Sequence, residues 1–193
     1  RGITAEALRM QRLVDDLLVL ARLDGGARHE TSAVDLTAVA REAVAAARVT
    51  DPDRALSVQA ETAATVRGDA GQLRRVVDNL LANVRTHTPA GTAAVVVIGA
   101  EPFGDTGDTG ARVVPGVTLA VADDGPGIPA DALPHVLDRF YRGDPAHSGD
   151  GSGLGLSIVA AVARAHGGTV EVSGASGAGT GGTRVTLRLP AGR

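Results

Sequence analysis

Two glycine-rich loops place the tightest constraint on how this chain can fold. Asp123-Asp124-Gly125-Pro126-Gly127-Ile128 follows a Val- and Ala-rich run at residues 117–122, and Gly151-Ser152-Gly153-Leu154-Gly155-Leu156 leads into a helical pattern at residues 156–165. A strand has to end at the first loop and a helix has to begin at the second. Upstream, Asn79-Leu80-Leu81-Ala82-Asn83 sets two amides four residues apart on an apolar helix pattern, so both project from one face. Any fold for this chain must bring a strand end, a helix start and that amide pair into register.

The remaining elements read as follows. Residues 3–23 form one helix, with Ile3, Ala7, Met10, Val14, Leu17 and Ala21 in alternating steps of four and three, a coiled-coil or bundle seam. Leu13, Leu18 and Leu20 widen that stripe, and the helix stops at Asp24-Gly25-Gly26. Such a helix wants several partners, and none is expected nearby in the chain, which favours a severed bundle arm over a core helix. Asp35 caps a second helix whose apolar face is Leu36, Val39, Ala40, Ala43, Val44 and Ala47. Short strands are expected at 56–60 and 65–67. Asp69 and Gln72 form an Asp-x-x-Gln capping-box pattern before a helix carrying Leu73, Val76, Val77, Leu80, Leu81 and Val84 inside. Strands at 93–98 and 117–122 are expected to pair antiparallel across a flexible hairpin loop at 101–115. A final hairpin joins 169–173 to 183–189. The mixture implies an α+β architecture, with helices covering one face of a mixed sheet.

Composition narrows the function classes. Hydrophobic residues make up 44% of the 193, but aromatics only 2%, so the core must be built from Val, Leu, Ile and Ala. The net charge of −3 gives no reason to expect nucleic acid as a partner. Cysteine is absent, which removes disulfides and thiolate metal sites and fits a reducing compartment. No run approaches the ~20 apolar residues of a membrane span, and Arg1-Gly2-Ile3-Thr4 is no signal peptide.

Each motif alone has both a chemical and a structural use. Asn79 and Asn83 are either oxygen ligands suited to Mg²⁺ or ordinary polar residues. Asp123 at a strand end either accepts a hydrogen bond from an exocyclic amine such as that of adenine, beside glycines that let backbone approach a flat ring, or belongs to a tight turn. Gly151, Gly153 and Gly155 either cradle a triphosphate on exposed N–H groups at a helix start or form a flexible linker. Phe140 and Tyr141 are two of only three aromatic residues. With Arg142 they either anchor a mobile lid whose cation reaches a terminal phosphate or form a cluster with no part in chemistry.

In order and spacing, five segments resemble the N, G1, F, G2 and G3 boxes of bacterial sensor histidine kinases: residues 79–89, 123–128, 137–142, 151–156 and Gly182-Thr183. The resemblance covers residues 34–190. Residues 9–18 similarly resemble the second helix of the dimerisation and histidine-phosphotransfer domain. The resemblance implies a two-layer, Bergerat-type ATP-binding domain at residues 34–193, preceded by the end of the dimerisation helix at 1–24 and a linker at 25–33. It implies ATP and Mg²⁺ as cofactors: Asn79 and Asn83 at the nucleotide, Asn83 on the metal, Asp123 on the adenine amine, and Gly125, Gly127 and Ile128 shaping the base pocket. Gly151, Gly153, Leu154, Gly155 and Leu156 would form the phosphate lid, His87 would lie beside the nucleotide, Arg142 would meet the γ-phosphate and Thr183 would lie behind the adenine. Leu137 departs from the F box's first phenylalanine, and Thr86 stands where Lys or Arg is frequent.

The resemblance places the phosphoacceptor in a His-Glu-x-x-x-Pro-like box before residue 1. His29-Glu30 follows the helix that resembles the second dimerisation helix and lacks the proline, and His135, His147 and His166 fall in lid or turn contexts. The implied function is transfer of the γ-phosphoryl of Mg-ATP to a histidine outside this chain and then to a response-regulator aspartate, in a homodimeric, membrane-anchored bacterial kinase whose catalytic part is cytoplasmic. ATP-hydrolysing relatives carry a glutamate base at the position of Asn79, and an amide cannot take a proton from water. Negligible ATPase is therefore expected. A nucleotide-binding module without transfer activity and an ATPase of the gyrase or MutL type are the alternatives.

Overall fold

Alternation decides the sheet. Ala94, Val96 and Ile98 on one strand and Val185, Leu187 and Leu189 on another are buried at alternate positions, as period-two patterning requires of a sheet covered on one face, while residues 116–121 of the strand between them are buried throughout. The computed structural model describes residues 2–25, 31–61, 64–104, 113–143, 152–174 and 181–192. Its elements are α1 (Gly2–Asp24), β1 (Ser32–Asp35), α2 (Leu36–Thr50), β2 (Leu56–Ala60), β3 (Thr65–Gly68), α3 (Ala70–His87), β4 (Ala94–Phe103), β5 (Val114–Asp123), α4 (Gly155–Ala165), β6 (Thr169–Ser173) and β7 (Thr183–Pro190), with a 3₁₀ turn at Leu133–His135. The main sheet runs β2-β4-β5-β7-β6 and β1 pairs β3 separately. Only β2 and β4 are parallel in the five-stranded sheet; its other pairs are antiparallel.

Helices α2, α3 and α4 cover the apolar face. Asp35 accepts from the Thr37 and Ala38 amides at the start of α2. The six apolar residues assigned to α3 are the six it buries. Ile158, Val159 and Val162 of α4 are fully enclosed. This is the α+β sandwich the sequence implied.

Four local expectations change. Ser32 and Ala33 lie in β1, paired with Gly68 and Arg67, not in a linker; a four-residue strand is too short to show a period. The loop assigned to 101–115 is shorter, because Glu101–Phe103 and Val114–Pro115 continue the antiparallel ladder as far as Phe103↔Val114. The capping box at α3 is half made: Asp69 accepts from the Gln72 amide at 3.0 Å, but the Asp69 amide donates to His166 Nε2 at 3.1 Å rather than to Gln72. His166 Nδ1 faces the Val162 carbonyl at 2.9 Å, so the proton sits on Nδ1 and the ring joins α4 to the start of α3.

The fourth change concerns α1, which does find partners in the chain. Leu20 is 2% exposed, and Leu13, Val19 and Leu23 pack against the same core. Asp16 pairs with Arg75 at 2.6 Å and Asp24 with Arg139 at 2.7 Å. Met10, Val14, Leu17 and Leu18 stay exposed. The widened apolar stripe is thus two faces, one docked on the domain and one open.

Candidate nucleotide site

A cleft of about 930 Å³ runs between α1, α3, the start of α4 and the strand ends of β5 and β7. Asn79, Asn83, His87, Asp123, Gly127, Ile128, Gly153, Gly155, Leu156 and Thr183 all line it.

One end is built by α3 and α4. Asn79 and Asn83, one turn apart on α3, face Gly155, the first residue of α4. Asn79 Nδ2 donates to the Gly155 carbonyl at 3.4 Å, and a Cβ on Gly155 would come within 3.5 Å of Asn83 Oδ1. Among the described residues no side chain caps α4, so the amides of its first turn lack a side-chain partner. Two neutral oxygen-bearing amides beside an open helix start suit phosphates and a hard divalent cation that keeps part of its own water.

The other end is built by strands. Asp123 closes β5 opposite Thr183 of β7, and its Oδ1 accepts from the Gly125 amide at 2.8 Å. Gly125 is buried; a Cβ there would lie 2.6 Å from both Asp123 Oδ1 and the Thr88 methyl. Gly127 sits at φ +78° and Gly182 at φ +143°, and a Cβ on Gly182 would strike the Asp123 carbonyl at 2.4 Å. These glycines let two loop backbones close around the Asp123 carboxylate, which keeps acceptor capacity for a donor such as an exocyclic amine.

The segment between the ends differs from expectation. Phe140 is 58% exposed with φ +63°, so its ring lies outside the core of the described residues. Its amide donates to the Gly153 carbonyl at 2.9 Å, and a Cβ on Gly153 (φ +69°) would lie 2.8–2.9 Å from the Phe140 backbone. The backbones of Phe140 and Gly153 cross here, and the Phe140 ring is left turned outward. Tyr141 instead lines the cleft and lies 5.7 Å from His135, ring to ring. Burial, and secondarily the Arg142 charge, hold the His87 pKa below its ordinary value.

Among the described assigned residues, Leu154, Gly125 and Arg142 do not line the cleft. The Leu154 side chain is fully buried, and its amide is taken by Ser152 Oγ at 3.2 Å. Gly125 lies beneath the turn rather than on the cleft wall. Gly151 is outside the described residues. Sequence reading also missed Thr88, which lines the cleft, and Arg54, which holds it. No periodic signal marks either residue.

Residues 68–193 match the family described as Histidine kinase-, DNA gyrase B-, and HSP90-like ATPase. The chain belongs to that family of ATP-binding domains. Within it, the chain is an ATP-binding catalytic domain of the sensor histidine kinase kind. It is 43% identical over 192 residues to the probable sensor histidine kinase TcrY of Mycobacterium tuberculosis, an alignment covering 97% of this chain and 37% of that protein. It superposes on the mycobacterial sensor histidine kinase MprB with a TM-score of 0.68 at 32% identity, covering 83% of this chain and 97% of that one. Full-length ShkA, solved in complex with AMPPNP, gives a TM-score of 0.71 at 25% identity over 94% of this chain and 36% of that one. The chain spans 37% and 35% of the length of two curated relatives. Among the described residues no helix is long and apolar enough to cross a membrane.

Proposed function

We propose that the cleft holds Mg-ATP with its base against Asp123 and its phosphates at Asn83 and the start of α4, and that the chain transfers the γ-phosphoryl to a histidine on another segment. The observation that carries this reading is that one cleft joins Asp123 at one end to Asn79, Asn83 and Gly155 at the other. In this reading the Asp123 carboxylate accepts from the adenine amine, Thr183 lies behind the ring, and Gly127 and Ile128 wall it. Asn83 supplies a metal ligand. Arg142 and the α4 amides neutralise charge on the phosphates, and residues 151–156 close over them. When bound, Mg²⁺ would supply charge neutralisation to the phosphates. Phosphoryl transfer needs alignment and charge neutralisation more than covalent help, which suits a cleft lined by amides and arginine. The bond from phosphorus to the leaving ADP oxygen breaks as the bond to an imidazole nitrogen forms.

The parent protein in this reading is a membrane-anchored homodimer that passes the phosphoryl group to a response regulator, and residues 1–24 are the end of its dimerisation helix. The exposed Met10, Val14 and Leu17 support a helical partner for that face. The test mixes this chain with a separately made dimerisation domain bearing its histidine and γ-labelled ATP. Label on the histidine is the expected result; none, with ATP bound, would leave a binding module. Asn79 offers no base for water, so multiple turnovers of phosphate release that vanish in Asn83→Ala would favour the ATPase alternative.

A further inference from the structure

We propose that Arg54 is a positioning residue for the base end of the cleft: it fixes Thr88, and Thr88 fixes the turn that aims Asp123. Arg54 belongs to no motif and lies in the loop before β2, yet it is 5% exposed. A guanidinium buried that far needs its donors matched. Nε donates to Asp51 Oδ2 at 2.7 Å. Nη1 donates to Thr88 Oγ1 at 2.8 Å and to the Thr92 carbonyl at 3.0 Å, and Nη2 donates to the Pro89 carbonyl at 3.3 Å. Three of the four bonds therefore grip residues 88–92, the turn between α3 and β4.

Thr88 converts that grip into geometry. Its hydroxyl has one proton, given to the Val84 carbonyl at 2.7 Å, so Oγ1 must receive from Arg54. The two bonds together fix the side-chain torsion and send the methyl toward Gly125, where a Cβ would lie 2.6 Å from it. Gly125 in turn is held between that methyl and Asp123 Oδ1, to which its amide donates. Arg54 does not line the main cleft, whereas Thr88 and Asp123 do, so Arg54 acts through Thr88. Lysine cannot replace it, because a single ammonium lacks the planar fork that reaches four acceptors in two segments.

This proposal rests on the reading that adenine meets Asp123, and the test separates the two. In the chain as it stands, Arg54→Lys, Thr88→Val (which keeps the methyl facing Gly125 and replaces the hydroxyl with a second methyl) and the double variant are titrated calorimetrically with Mg-ATP and with Mg-tripolyphosphate. The Gly125 amide is followed by NMR without ligand. Each single variant is expected to weaken Mg-ATP binding about tenfold, the scale of one lost hydrogen bond to a charged group. The double variant should be no worse, tripolyphosphate affinity should hold, and the Gly125 amide resonance should move in both singles. An unmoved Gly125 amide with unchanged ATP affinity in folded Thr88→Val would overturn the proposal, whether or not Arg54→Lys folds. Equal losses for ATP and tripolyphosphate would overturn it too, as general loosening. If Asp123→Asn leaves ATP affinity unchanged while the Gly125 amide still moves in Thr88→Val, the adenine assignment fails and the Arg54–Thr88–Gly125 linkage stands.

Discussion

At the Asp123 end of the cleft, the carboxylate is tied to the Gly125 amide, its residue is paired to Thr183 across the sheet, and a buried arginine braces the neighbouring turn. At the Gly155 end, a helix starts without a side-chain cap among the described residues, and Asn79 reaches it through a single hydrogen bond of 3.4 Å. The difference is between a wall whose polar groups are bonded before any ligand arrives and a wall whose amides are left for the ligand. In the proposed reading, preorganisation at the first end would serve recognition of a rigid base. Unspent donors at the second would serve phosphates whose charge changes as they react.

The contrast can be broken most forcefully at the phosphate end. Asn83→Ala should lower phosphoryl transfer to a supplied histidine segment by about 100-fold or more, the scale of removing one group that meets developing charge. Metal-free ADP binding should change little, and radiolabel transfer beside calorimetry reads both. At the base end, Asp123→Asn should weaken ATP binding by about 1–3 kcal/mol through a poorly matched donor; unchanged heats would move the adenine elsewhere.

Two glycines of one motif sharpen the contrast further. Gly153→Ala should cost about 1–3 kcal/mol of stability because φ +69° and the Phe140 backbone leave no room for a Cβ. Gly155→Ala meets nothing closer than 3.5 Å and should raise helix stability by up to about 1 kcal/mol while weakening ATP binding. Thermal melts and titrations on both variants check this; equal melting losses would erase the distinction.

The smallest effect is pH dependence at His87. Burial and Arg142 depress its pKa from 6.5, so the unfolded chain gains that proton first as pH falls. The apo domain then loses stability through the window just below 6.5. A bound triphosphate offsets the Arg142 charge and raises the His87 pKa, so ATP affinity should rise through the same window. Comparing the parent with His87→Gln isolates the effect; identical pH profiles for the two would remove His87 from the phosphate end.

Legibility followed the range of the interaction. The apolar face of α3 and the Asp35 cap were readable because the face repeats every three or four residues and the cap's partners lie two and three residues away. The two-faced use of α1 was not, since Leu20 and Leu17 carry the same apolar signal and only docking on α4 separates them. Gly153 looked like a phosphate residue from its spacing, and the chain crossing at Phe140 gives it a second task that no local pattern encodes. Arg54 was invisible because its acceptors are mostly thirty-four or more residues distant.

By itself the sequence determined most of the elements, the apolar faces of α2 and α3 and the order of the motifs, because periodicity and capping are local physics. Tertiary structure alone decided which carboxylate oxygen Gly125 occupies, which face of α1 stays open, and that a buried guanidinium braces the base end. Those outcomes depend on hydrogen bonds and close contacts between segments far apart in the chain, whose geometry exists only once the sheet has brought them together.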